Sequence, residues 1–415
     1  MSRIWLRAAG PLVATVLLAA CARTPPVERL PPPRPGAVSS ARPVIAPRPV
    51  TETPPAALLA RSAPPLATMA GLATADLNSA LAAFRASCPA LTKRSDLSGL
   101  TAPVDWGAPC AAAATATDAR AYFATAFTAV MIGDGRGLDT GYYEPDLGAS
   151  LVAAPGLATP IFRRPPDLVD LDLGTFDAAL AGKHVRGRVD GARFVPYFDR
   201  AAIDDGALVG RGLELAWASD PVAAFFLEIQ GSGRLRLPDG TVLRVGYDGQ
   251  NGHAYTGIGK LLRDRGALAP GQATMAGIVT WVRAHPAEGR ALLRENRSKV
   301  FFKVLATPAA FGPPGAMGVP LTARVSVAVD PRSIPLGAPL WLDTIVAGAP
   351  FRTVVVAQDT GGAIKGMNRL DLFWGSGDAP GAVAGGITAT GTVTLLLPPA
   401  AAARLLNHAS APPRP

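Results

Sequence analysis

Five short apolar runs late in the chain, "KVFFKVLA", "ARVSVAVD", "APLWLDT", "RTVVVAQD" and "GTVTLLLP", constrain its fold more than any other feature. Each is rich in β-branched or aromatic residues and is bounded by Gly, Pro or Asp, the pattern of a strand between turns. No helical pattern separates the last four, so they point to a sandwich or barrel and not to alternating βαβ units. The same character begins near Gly141. In "FFLEIQGSGRLRLPDGTVLRVGY", Leu235 and Leu237 alternate with Arg234 and Arg236 before a Pro-Asp-Gly turn, and Val242, Leu243 and Val245 return as a hairpin. The 44 glycines and 41 prolines supply the punctuation that so many short strands need.

Helical patterns occur in two groups. The first holds "TADLNSALAAFRAS", with Thr74 as its expected N-cap, and "TDARAYFATAFTAVMIG", with Tyr122, Phe123, Ala126, Phe127 and Val130 on one face. The second holds "YTGIGKLLRDRG", "TMAGIVTWVRAH" and "AEGRALLREN". Helices, strands, helices, strands is an order compatible with one β domain interrupted by another, without requiring it.

Residues 1–20 read "MSRIWLRAAGPLVATVLLAA", with Arg3 and Arg7 ahead of an apolar stretch too short for a membrane-spanning helix, which is the pattern of an export signal. Leu18-Ala19-Ala20-Cys21 matches a lipobox, which makes Cys21 the expected lipidated N-terminus; an ordinary secretory signal is the alternative. Acyl chains contribute about 0.8 kcal/mol per buried CH₂, so several of them anchor a protein durably without crossing the membrane. From Cys21 to residue 66 the chain is crowded with proline and lacks apolar periodicity, as expected of an extended tether. Signal and tether carry most of the net charge of +9, leaving about +3 for the rest, so nucleic acid is not an expected partner. Cys88 and Cys110 remain, and in an oxidising exported compartment they are expected to form a disulfide.

The most polar of the late stretches is "AQDTGGAIKGMNRLDLFWG". It lacks the Gly-x-x-x-x-Gly-Lys-Ser/Thr spacing of a phosphate loop. His184, His253, His285 and His408 are scattered without zinc spacing, and Gly231-Ser232-Gly233 is not a nucleophile elbow, so neither a metal nor a cofactor is expected. Carboxylate chemistry is left. Asp371, between Leu370 and Leu372-Phe373-Trp374, is placed to stand in a partly apolar groove where its pKa would rise, or else to cap a turn. Asp359 either orients the loop or serves as a second carboxylate. Lys365 and Arg369 either bind an anion or pair with these acids. Glu144 beside Tyr142 and Tyr143 has the composition of a sugar groove, and equally that of core packing.

Seven stretches in fixed order, "TGYYEP", "PIFRRPPDLV", "FFLEIQGSGRLRLPDG", "VGYDGQNGHAYTGIGKLL", "VFFK", "GVPLTARVSVAVDPRSIPLGAPLWL" and "AQDTGGAIKGMNRLDLFWGSGDAPG", resemble the membrane-bound lytic murein transglycosylase A family. They span roughly residues 141–381. The resemblance implies a mainly β, two-domain protein with flanking helices, in which a double-psi β-barrel is interrupted by an inserted β-rich domain and a substrate groove lies between them. On that basis the expected parts are a signal at 1–20, a tether at 21–66, barrel segments at 67–150 and 305–400, an insert at 151–304 and a disordered tail at 401–415. It also implies a lipid-anchored enzyme on the periplasmic face of the outer membrane, or else a soluble periplasmic or secreted one. The implied activity is that of a lytic exotransglycosylase cutting the β-1,4 MurNAc–GlcNAc bond of peptidoglycan to leave a 1,6-anhydromuramyl end, with cell-wall synthesis or division complexes as further partners.

The family's catalytic aspartate falls on Asp371, with Asp359 in support. Tyr143, Glu144, Gln230, Ser232, Gly233 and Lys365 are carried over as groove residues. Lys299 departs from the family, which usually has an aromatic residue before "VFF". A hydrolytic muramidase and a non-catalytic wall-binding lipoprotein are the competing readings.

Overall fold

The computed structural model describes residues 55–269, 271–308 and 311–409; the export signal, Cys21 and most of the expected tether lie outside them. Three strands come first: β1 (Ala60–Ser62), β2 (Thr128–Ile132) and β3 (Arg136–Glu144). A second region then supplies β4 (Asp146–Ser150), β5 (Thr159–Phe162), β6 (Val169–Asp172), β7 (His184–Asp190), β8 (Arg193–Pro196), β9 (Glu214–Ala218), β10 (Ser232–Arg236), β11 (Val242–Gln250) and β12 (Val300–Val304). The chain returns with β13 (Ser326–Val329), β14 (Pro339–Val346), β15 (Ala349–Asp359), β16 (Leu370–Ser376) and β17 (Thr388–Leu397).

The first and last groups form one sheet in the order β1-β2-β17-β14-β15-β13-β16-β3, and β3 also pairs with β17. That pairing closes six strands into a barrel and leaves β1 and β2 as an extension on β17. Val327, Val329, Leu340, Val355, Leu370 and Leu395 fill the interior with no accessible surface. Closure removes the edges that so many short apolar strands would otherwise expose. Residues 146–304 build the six-stranded sheet β12-β11-β10-β4-β9-β5 and the small sheet β6-β7-β8. Among the described residues no helix is long and apolar enough to cross a membrane.

Five local expectations change. "FFLEIQ" is not the lead-in to a hairpin but the end of a helix, Pro221–Gln230. Asp220 caps it by accepting from the amides of Val222 and Ala223, Pro221 occupies its first turn, and Gly231 ends it in the left-handed region at φ 78°. A short continuous apolar run fits a buried helix as well as a strand, and the cap decides between them. "TDARAYFATAFTAVMIG" divides: helix Ala119–Ala126 ends at Phe127, which is extended, and Val130 points from β2 into the barrel. Thr74 closes a short 3-10 turn, and the helix after it runs Asn78–Leu91. The folded part starts before residue 66, because Ala56 and Ala57 are buried and β1 pairs with β2. At the other end, the expected tail is helical through Pro399–Ala409, with Ala401 and Ala402 buried.

Candidate active site

The barrel's β13 is the centre of the site. Its Ala328 is the Cα partner of Asp359 on one side, in parallel pairing with β15, and of Asp371 on the other, in antiparallel pairing with β16. Directly opposed residues share a face, so the small alanine has a carboxylate on each flank, about 10 Å apart at Cα by strand spacing. Next to β16 runs β3 in parallel, with Thr140 opposite Asp371 and Tyr142 opposite Phe373. The period-two geometry of β3 thus brings Thr140 and Tyr142 to the same face as the two acids.

Each acid is held differently. The Thr140 hydroxyl donates to Asp371 Oδ1 at 2.6 Å, and Arg369 Nη2 donates to the Thr140 hydroxyl at 2.9 Å. Arg369 is itself fixed by donating to the Leu138 carbonyl at 2.9 Å. Asp371 Oδ2 accepts no hydrogen bond among the described residues, and the residue is half-buried. Asp359 is more fully engaged: Tyr142 OH donates to Oδ2 at 2.8 Å and the Ala316 amide to Oδ1 at 2.9 Å.

Burial pushes the Asp371 pKa up to about 6; the Thr140 bond and the Arg369 charge oppose the rise, and the Asp359 charge adds to it. Asp359 is also raised, chiefly by burial, against the bonds from Tyr142 and backbone amides. Tyr142 is raised well above the usual phenol range by burial and by Asp359, so it stays a donor.

The connecting loop, 360–369, is tied down by two groups. Gly366 N donates to Asp330 Oδ2 at 2.9 Å, and Asn368, at φ 56°, donates through Nδ2 to the Ile132 carbonyl at 2.9 Å. Gly137 lets the loop lie against β3, since a Cβ there would fall 1.8 Å from the Asn368 carbonyl oxygen. Lys365, on this loop, is exposed and makes no ion pair among the described residues.

The other carried-over residues gather where the barrel meets the second region. Gln230 Oε1 accepts from the Tyr143 amide at 2.9 Å, and the Tyr143 ring lies against Gly381. Ser232 begins β10, and Gly233 is crowded, with a Cβ there only 2.3 Å from Leu227 Cδ1. Glu144 is fully buried: Arg244 Nε lies 2.7 Å from its Oε1 and Ser376 Oγ donates to its Oε2 at 2.6 Å. It is a joint between the two regions: Oε2 accepts from Arg244 Nη2 at 2.8 Å as well as from Ser376, while Oε1 is in ion-pair contact with Arg244 Nε without a hydrogen bond. Lys299, 8% exposed, turns its ammonium to Glu228 at 2.8 Å, inside a buried cluster with Arg200.

Thr140, the Tyr142 phenol as a partner of Asp359, and Asp330 as a loop anchor were not read from the sequence. Thr140 and Asp371 are 231 residues apart, and only the parallel pairing of β3 with β16 relates them. Cys88 and Cys110 form a disulfide with Cα atoms 5.6 Å apart, joining helices Asn78–Leu91 and Gly107–Thr115. No group of three or more metal-ligating side chains comes together among the described residues.

Two family models match the chain: the MltA specific insert domain over residues 138–303 and the 3D domain over residues 325–397. Among curated proteins it is 39% identical over 196 residues to membrane-bound lytic murein transglycosylase A of Vibrio cholerae, covering 45% of this chain and 52% of that protein. It is 36% identical over 267 residues to the Escherichia coli K12 protein of the same name, covering 62% and 64%. The chain therefore spans between about half and just under two thirds of the curated relatives it matches. Among solved structures, a membrane-bound lytic murein transglycosylase from Agrobacterium tumefaciens superposes with a TM-score of 0.76 at 32% identity, over 83% of this chain and 99% of that one. E. coli MltA with bound chitohexaose gives 0.60 at 29% identity, over 78% and 90%. With both regions matched in sequence, and a third of the residues shared along almost the whole of the Agrobacterium structure, the chain belongs to the membrane-bound lytic murein transglycosylase A family.

Proposed function

We propose that this chain cleaves the β-1,4 bond between MurNAc and GlcNAc in peptidoglycan without water, with Asp371 as both acid and base. One observation carries the reading. Of the two acids flanking Ala328, Asp359 has both oxygens committed to Tyr142 and Ala316, whereas Asp371 has Oδ2 unbonded and a pKa raised to about 6. One carboxyl thus takes up and gives back a proton near neutral pH with an oxygen to spare, and the other has both oxygens held by protein donors, unlike the two working carboxylates of a hydrolase.

Protonated Asp371 gives its proton to the glycosidic oxygen as the bond from C1 of MurNAc to that oxygen breaks, and the GlcNAc fragment leaves as an alcohol. The resulting carboxylate takes the proton from the MurNAc C6 hydroxyl while that oxygen forms a bond to C1. The product is a 1,6-anhydro ring, and Asp371 ends protonated, ready for another turnover. Arg369 and Thr140 steady the carboxylate between the two steps, and Asp359, held by Tyr142, opposes its ionisation. Lys365, Tyr143, Gln230, Ser232 and Gly233 border the proposed groove. Acylation at Cys21, with anchoring to the inner face of the outer membrane, and association with wall-synthesis or division complexes complete the reading.

The test is digestion of purified sacculi with the chain and with Asp371→Asn, followed by mass spectrometry. Fragments one water lighter than reducing muropeptides are expected from the first, and a loss of about 10³-fold or more from the second, with glycan binding kept. Reducing ends carrying ¹⁸O from labelled water would make the protein a muramidase. Binding without released fragments would make it a wall-binding lipoprotein.

A further inference from the structure

A cavity of about 700 Å³ opens in the inserted region between the β7–β8 hairpin and the end of β11, and neither acid nor any of their hydrogen-bond partners lines it. Strand β11 measures its distance from the Glu144–Arg244 joint at the barrel. Arg244 meets Glu144 at the barrel, and Gln250 borders the cavity six residues on. At about 3.3 Å per residue that is about 20 Å.

The sequence builds this cavity with a close approach. Gly252, at φ 87°, sits where a Cβ would be 2.6 Å from the Arg186 carbonyl oxygen, so only glycine lets the loop meet the hairpin. Arg186 is ion-paired with Asp170 and donates through Nη1 to the Gln250 carbonyl at 2.9 Å, which fixes the two walls to each other. His253 donates from Nε2 to the Tyr197 carbonyl at 2.8 Å, leaving Nδ1 as its remaining polar atom. Arg297 is exposed, with only its Nε near Asp199 at 3.2 Å, and His184 is exposed on β7. Phe194, 40% exposed, supplies an apolar wall.

Among the charged residues of this lining the arginines Arg186 and Arg297 outnumber the one acid, Asp170. Two arginines and two of the chain's four histidines face a single acid, Asp170, which Arg186 already occupies. A glycan backbone of hydroxyl and acetamido groups is neutral and gives no reason for such a lining. The peptides borne by the muramyl sugars carry free carboxylates, which a guanidinium with uncommitted Nη donors, as on Arg297, binds through charge-assisted bonds, and to which an exposed imidazole N–H, as on His184, can add a further hydrogen bond.

We propose that this cavity is a second binding site, which takes the carboxylates of an acidic peptide attached to the wall glycan. The proposal rests on the reading of peptidoglycan as substrate. It adds that this chain grips peptide as well as sugar, at a point about 20 Å along β11 from the Glu144–Arg244 joint.

The experiment is calorimetric and uses full-length Asp371→Asn protein, so no turnover is needed. The probes are the free tetrapeptide L-Ala-γ-D-Glu-meso-diaminopimelate-D-Ala and chitohexaose. Tetrapeptide affinity is expected to fall about tenfold or more in a variant also carrying Arg297→Gln and His184→Gln, both exposed positions, with chitohexaose affinity unchanged. Arg297→Lys alone should lose less tetrapeptide affinity than Arg297→Gln alone, because it keeps the charge while losing the guanidinium's fork of donors. No binding of the tetrapeptide, or equal binding by both proteins, would overturn the proposal. So would a loss confined to chitohexaose, which would make the cavity a sugar subsite. Failure of the transglycosylase reading appears separately, as absence of anhydro ends in the sacculus digest.

Discussion

Asp371 illustrates how a single residue draws its chemistry from three strands. Its setting among Leu370, Leu372 and Phe373 was visible in the sequence, because a lone acid in an apolar strand must have a reason to be there. What tunes it was not visible, since Thr140 and Arg369 act through a pairing that no local pattern encodes. The Thr140 bond favours the charged form, so Thr140→Val should raise the Asp371 pKa above its present value of about 6. The alkaline limb of the kcat profile is then expected to move to higher pH while kcat falls several-fold; an unmoved limb would show that Thr140 does not act on the acid. Stability follows with a definite sign. A carboxyl whose folded pKa is raised adds stability below about pH 4, and that contribution is lost as pH rises through about 6. Asp371→Asn should therefore be more stable than the parent at pH 7, by on the order of 1–2 kcal/mol allowing for partial solvent access, with no advantage at pH 4.

At the level of elements, caps and composition decided more than periodicity did. The helix Pro221–Gln230 is marked by Asp220, Pro221 and Gly231, signals present in the sequence but outweighed there by the strand-like neighbours. The break at Phe127 had no such marker and follows from β2 pairing with β17, a tertiary demand. One helix matters to the site directly. Asn78–Leu91 is fastened to the barrel by Gln358, whose Nε2 donates to the Ala83 carbonyl and to Ser87 Oγ, each at 2.9 Å, immediately before Asp359. The Cys88–Cys110 disulfide ties this helix to its neighbour across a separation of 22 residues. Reducing a bridge of that span should cost about 3 kcal/mol. Urea melts with and without reductant, and of Cys88→Ala/Cys110→Ala, should agree on that loss. A difference under about 0.5 kcal/mol would mean the helix is held by packing and Gln358 alone.

For the whole molecule the decisive contact is the one that joins barrel to insert. The motif order implied two interleaved regions, but the sequence held no sign that Glu144, Arg244 and Ser376 would meet, because they come from β3, β11 and β16, far apart in the chain. Glu144 was expected in the sugar groove; in the structure it is buried, in an ion pair whose two side chains are 0% and 5% exposed. Removing one charge of a buried pair leaves the other uncompensated, so Glu144→Gln should cost about 3–5 kcal/mol, measured by urea unfolding. Replacing both partners, as in Glu144→Leu/Arg244→Leu, removes the orphaned charge and should restore much of that stability. The double variant also separates the two roles. If Glu144 only joins the regions, glycan affinity and KM on sacculi should recover along with stability. If Glu144 contacts sugar in a rearranged groove, the refolded double variant will stay weak in binding although its unfolding midpoint has returned.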